Sequence, residues 1–175
     1  YAEKGNVEAE DLKGNSVLLE TNEQEALSAF IFKTIVDPYV GKISYLKVMS
    51  GVLNSDSQVY NPKKEITEKV SQVYVLNGKY QIGVGKLFTG DIGAVVKLQK
   101  SETGDTLGTR AKEVIYPEIE YPKPMLGYAI HPVSKADGDK LSVGIHNLMS
   151  EDKTIHFVNN EETHEQVLYG LGDQH

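Results

Sequence analysis

The chain has 175 residues, 39% hydrophobic and 25% charged, with no Cys and a formal net charge of −7. That length accommodates one or two globular domains, the lack of Cys excludes a disulfide framework and a thiolate metal site, and no apolar run approaches the ~18 residues a membrane-spanning helix needs. The charge is unevenly spread: residues 1–25 hold two basic and seven acidic side chains, 26–114 twelve and eight, and 115–175 four and ten, so a mildly basic module lies between acidic flanks.

Residues 1–25 are rich in Glu, Asn, Lys and Gly, with little apolar periodicity beyond Ser16-Val17-Leu18-Leu19, and read as a linker or lead-in. Tyr1 is followed by neither a basic n-region nor an apolar h-region, so no secretory signal is expected and the reading is cytoplasmic, with the gene product starting further upstream. From residue 26 to 114 the texture changes to short β-branched and apolar runs broken by turn residues, the pattern of a β-barrel or sandwich. Strands are expected at Leu27 to Val36, Lys42 to Ser50, Ser57 to Tyr60, Ile66 to Leu76 and Ile92 to Leu98. Asp37-Pro38, Asn54-Ser55-Asp56, Asn61-Pro62, Asn77-Gly78, Thr89-Gly90-Asp91 and Thr103-Gly104-Asp105 supply the turns.

Residues 115–124 hold three of the six prolines and read as a linker. Beyond it, 125–175 reads as a second, α+β unit. Met125 to His131 is expected as a strand. Ser134-Lys135-Ala136-Asp137 has the form of a capping box with Asp for Glu, and starts a helix ending near Asp152. Leu141, Ile145, Leu148 and Met149 fall at i, i+4, i+7 and i+8 along it, one apolar stripe. Thr154 to Asn159 and Gln166 to Leu171 follow as strands joined by a polar hairpin. The order β-α-β-β is half of a split β-α-β unit, a ferredoxin-like domain cut short, and a single helix leaves part of the sheet's apolar face uncovered.

Catalytic motifs find no support. Gly83-Val84-Gly85-Lys86 lacks the spacing of a P-loop, because Tyr80 stands where its first Gly belongs and Leu87 where its Ser or Thr belongs; a tight bend at a barrel edge is the expectation. Glu161-x-x-His164 with His156 forms no recognised metal set, and Glu161, Glu162 and Glu165 read as a solubilising hairpin. No G-x-S-x-G elbow occurs. The expectation is no catalytic residue, no metal and no cofactor in this chain.

Four segments carry a family resemblance: Phe30 to Leu53 (FIFKTIVDPYVGKISYLKVMSGVL), Phe88 to Leu98 (FTGDIGAVVKL) with Thr103 to Leu107 (TGDTL), Pro132 to Lys140 (PVSKADGDK), and Tyr169 to His175 (YGLGDQH). Together they resemble elongation factor G, of which this chain looks like the second domain and part of the third. The resemblance implies a translational GTPase, with GTP and Mg held by a GTPase domain outside this segment, the ribosome (small-subunit rRNA and proteins) and the protein's own GTPase domain as partners, and no membrane. Lys33, Lys42 and Lys47 are then expected to face rRNA. The last segment is similar to the family's G-x-G-E-L-H, which places Gly170, Gly172 and His175 at the interface with the GTPase domain; Asp173-Gln174 replace Glu-Leu and point to a paralogue. Other readings are a free-standing protein-interaction module on a translation-type barrel, or a piece of a tetracycline-resistance ribosomal protection protein. An incomplete second unit is also expected to expose a sheet face or edge at which two copies could pair.

Overall fold

A computed structural model describes residues 5–78, 80–134, 137–160 and 165–175. It divides into two compact units, Tyr1–Ile119 and Glu120–His175.

The first unit begins with a hairpin of β1 (Asn6–Glu10) and β2 (Ser16–Glu20), in the segment expected as a lead-in. The alternation that forms it is modest: Ala9 and Leu19 are buried, while Leu18 is 59% exposed. Its turn is held by Asp11, whose carboxylate accepts the Lys13 and Asn15 amides at 2.8 and 2.9 Å. Ala9 and Leu19 pack with Val114 and Tyr116, and Phe30 and Met49 close the cluster. Ile115 and Tyr116 of the proline-rich stretch therefore belong to this unit, fixed by an antiparallel bridge between Glu10 and Ile115 and by the Tyr116 amide donating to Thr106 Oγ1 at 3.0 Å.

β3 (Ser28–Asp37) and β4 (Gly41–Ser50) form the central hairpin. β5 (Val52–Asn54), β6 (Ser57–Asn61), β7 (Ile66–Val70), β8 (Val73–Asn77), β9 (Tyr80–Val84), β10 (Lys86–Phe88), β11 (Ile92–Val96) and β12 (Thr106–Gly108) follow. Eight of these form one sheet in the order β7-β6-β12-β3-β4-β11-β8-β9, and β5 pairs with β10. Val59 and Val70 at one end of that order share a buried core with Val73 at the other, together with Ile31, Leu46, Val48, Leu53, Leu87 and Leu107. One core reached from both ends of a sheet is the arrangement of a barrel.

Ile66 to Leu76, expected as one strand, is two. The chain leaves the ladder with β6 at Val70 and joins the ladder with β11 at Val73, both side chains pointing inward. Gly83 lies within β9, opposite Tyr74, and only Gly85 sits in a bend, so the glycine-rich segment is largely strand.

The two T-G-D turns are one device used twice. Gly90 and Gly104 have φ of +90° and +93°, which favours glycine. The Gly90 amide donates to Val48 O at 2.8 Å and the Val48 amide to Asp91 O at 2.9 Å; Gly104 and Asp105 bracket Ile31 in the same way, at 2.8 and 3.0 Å. In each turn the Asp carboxylate accepts an amide three residues back, Phe88 at 2.8 Å and Glu102 at 2.9 Å. The turns thus supply partners to β3 and β4 beyond their own ladders.

The second unit holds β13 (Leu126–Ile130), α1 (Asp137–Glu151), β14 (His156–Asn160) and β15 (Glu165–Gly170). β15 is central and antiparallel to both neighbours, so β13 and β14 run parallel, joined through α1. That is a split β-α-β arrangement. At the helix start Ser134 Oγ donates to Asp137 Oδ2 at 2.6 Å and the Asp137 amide donates to Ser134 O at 3.1 Å; Lys135 and Ala136 lie outside the described residues. Of the apolar stripe only Ile145 is buried, and Leu148 is 44% exposed. A groove of about 500 Å³ lies against α1, lined by Ile130, Pro132, Val133, Leu141, Leu148 and Leu168, where one helix leaves the sheet face partly uncovered.

Candidate interface residues

Lys33 and Lys47 share the outer face of the barrel. Tyr45 on β4 pairs with Lys33 on β3, Lys47 lies two positions further along β4 and so on the same side, and both lysines are exposed. Beside them on that face lie Tyr45 and Tyr74, which pack on Ile43, Ala94 and Val96, and Ile92, the partner of Lys47 on β11, which is 55% exposed. Lys42 does not join them. It has the opposite strand parity, and its Nζ donates to Ser101 O at 2.6 Å, so its charge is spent on fastening the 97–105 loop.

That loop is also held by side chains from β6 and β7. Glu68, 4% exposed, accepts the amides of Gln99, Lys100 and Ser101 at 2.9, 2.9 and 2.7 Å. Asn61 donates to Ser101 Oγ and Asp105 Oδ2 at 3.0 and 2.9 Å, and Lys64 sits 3.2 Å from the same Asp105 oxygen. Burial pushes the Glu68 carboxyl up, but the three amides and the Ser101 side chain together outweigh it and leave the group below its ordinary value. Much of the basic surplus of 26–114 is committed in this way: Lys63 pairs with Glu118, Lys112 with Glu25 at 3.0 Å, Arg110 lies over the Tyr60 ring at 4.6 Å and Lys86 over Phe88 at 4.8 Å.

Gly170, Gly172 and His175 form one closed turn after β15. The His175 amide donates to Gly172 O at 3.1 Å, and the imidazole folds back so that Nδ1 accepts the Leu171 amide at 3.0 Å. A Cβ built on Gly170 would lie 2.9 Å from that Nδ1, so the ring occupies the space the glycine leaves. His175 Nε2 is 2.9 Å from Asp152 Oδ2, just past α1. Asp173, one of the departures from the family segment, accepts a hydrogen bond from the Tyr128 hydroxyl on β13. Sequence reasoning missed Asp152, and at 23 residues' separation no local pattern pointed to it.

Among the described residues no three His, Asp or Glu side chains are grouped to hold a metal, and no helix is long and apolar enough to cross a membrane. Glu161 and His164, weighed above for a metal, and Glu162 of the polar hairpin lie outside the described residues.

A translation-factor-type barrel followed by a split β-α-β unit defines the class. Residues 26–110 match the family model for elongation factor G domain 2, and 121–175 match that for elongation factor G, domain III. The chain is 37% identical over 153 residues to an elongation factor G of Cytophaga hutchinsonii, covering 87% of this chain and 22% of that protein. To an elongation factor G of Chlamydia trachomatis serovar D it is 36% identical over 174 residues, 99% of this chain and 25% of that protein. A crystal structure of a Thermus thermophilus protein superposes with a TM-score of 0.72 at 27% identity, over 85% of this chain and 22% of that one. The chain belongs to the elongation factor G family and spans about a quarter of the length of the curated relatives it matches.

Proposed function

We propose that this chain is the non-catalytic second and third domain of a translational GTPase of the elongation factor G type. The barrel rests on the ribosome and on the GTPase domain, and the second unit couples nucleotide state to the domains beyond it. The observation that carries this reading is the order of the matches, domain 2 at 26–110 and then domain III at 121–175, on one uninterrupted chain. Lys33 and Lys47, exposed on one barrel face beside Tyr45, are the side chains offered to rRNA phosphates; such contacts give affinity and position without reading sequence. Lys42 serves the fold instead. The 170–175 turn is the surface offered to the GTPase domain, and GTP and Mg belong to that domain, in a cytoplasmic protein.

GTP turnover tests the division of labour. The purified 175-residue chain is expected to release no phosphate from GTP, with or without ribosomes, while the full-length gene product hydrolyses GTP and is accelerated by them. Turnover by the chain alone, or a full-length product indifferent to ribosomes, contradicts the reading.

A further inference from the structure

One imidazole makes two of the side-chain contacts that hold the 170–175 turn, beside the Tyr128 hydroxyl on Asp173. His175 Nδ1 accepts the Leu171 amide at 3.0 Å, so on a neutral ring it carries no proton. The proton then sits on Nε2, which lies 2.9 Å from Asp152 Oδ2 and donates to it. Asp152 is itself fixed, because its other oxygen accepts both the amide and the hydroxyl of Thr154, at 2.8 and 2.6 Å, and its amide donates to Leu148 O at 2.8 Å. The ring can lie where it does because Gly170 has no side chain beneath it.

We propose that His175 is a positioning residue whose Nε2–H tautomer ties the turn after β15 to the end of α1 through Asp152. Its imidazole, rather than glycine freedom, then sets the shape the turn presents. This rests on the reading of the turn as a surface for the GTPase domain, and it assigns that surface an internal support. A movement at the turn is thereby carried to the α1–β14 connection, and the reverse.

The test uses the full-length protein, ¹⁵N-labelled, at about pH 8, where an ordinary imidazole is neutral. Long-range ¹H–¹⁵N spectra are expected to show His175 protonated at Nε2 and bare at Nδ1. In Asp152→Asn the amide oxygen stays with Thr154, so an NH₂ group faces Nε2–H, donor against donor. The tautomer is then expected to reverse or the ring to come free. Exchange of the Leu171 amide should accelerate up to about tenfold, and by the same factor in His175→Phe, which keeps a ring over Gly170 without its nitrogens. An Nδ1–H tautomer or free-imidazole averaging in the wild type overturns the proposal, as does unchanged Leu171 exchange in both variants. These readings need no ribosome, so failure of the wild-type protein to bind ribosomes sinks the functional reading and leaves the clasp result standing.

Discussion

Glu68 shows how one carboxylate can fasten a loop. Its side chain is almost wholly buried, yet three consecutive amides converge on it, and its folded carboxyl lies below the ordinary value. As pH falls, the unfolded chain takes up its proton before the folded one. The stabilisation is therefore complete above the usual Glu range and is lost as pH drops through the folded value. Glu68→Gln turns one acceptor into a donor facing backbone N–H groups, and is expected to cost about 2 kcal/mol at neutral pH. Denaturant midpoints check this, and the gap between wild type and variant should narrow below about pH 4. At this scale the sequence was partly legible. The T-G-D turns could be read because glycine at positive φ and Asp at a turn are local chemistry. Lys42 on Ser101 O, Asn61 on Asp105 and His175 on Asp152 join residues 59, 44 and 23 positions apart, and no spacing rule reaches that far.

The β1–β2 hairpin is the element where structure departs most from expectation. Its sequence is polar, its two buried side chains stand singly on opposite strands, and propensity alone favours no strand there. Tertiary packing supplies what the segment lacks: Leu19, 1% exposed, meets Tyr116 and Val114 in a cluster whose rings, Phe30 and Tyr116, stand edge to face at 6.1 Å. The Tyr116 hydroxyl joins a chain of buried hydroxyls through Ser28 to Ser50, each step 2.7 Å. Leu19→Ala is expected to destabilise the first unit by about 2–4 kcal/mol, measured by urea unfolding followed through tyrosine fluorescence; no change would mean the hairpin is a tether after all. The central strands were legible because β4 alternates over Tyr45 to Val48, with Leu46 and Val48 inward and Tyr45 and Lys47 outward. Short strands such as β5, β10 and β12, of three residues each, offer too little period to read. In the second unit the helix and its stripe were legible from spacing and the Ser134–Asp137 start.

At the scale of the whole chain, the barrel and the split β-α-β unit each have their own sheet, and the functional reading depends on their occurring together in this order. Composition alone gave a net charge of −7, which argues against a nucleic-acid partner; the division of charge along the chain, with Lys33 and Lys47 exposed on one face, leaves the barrel compatible with phosphate contacts. Pelleting of the 175-residue chain with ribosomes over a salt series, with full-length elongation factor G as competitor, tests this most directly. Binding is expected to be displaced by the competitor and to weaken steeply between about 50 and 200 mM salt, with Lys33→Ala and Lys47→Ala each lowering the log–log slope by about 1. Binding that ignores salt and both substitutions, or that the competitor does not displace, would contradict the account.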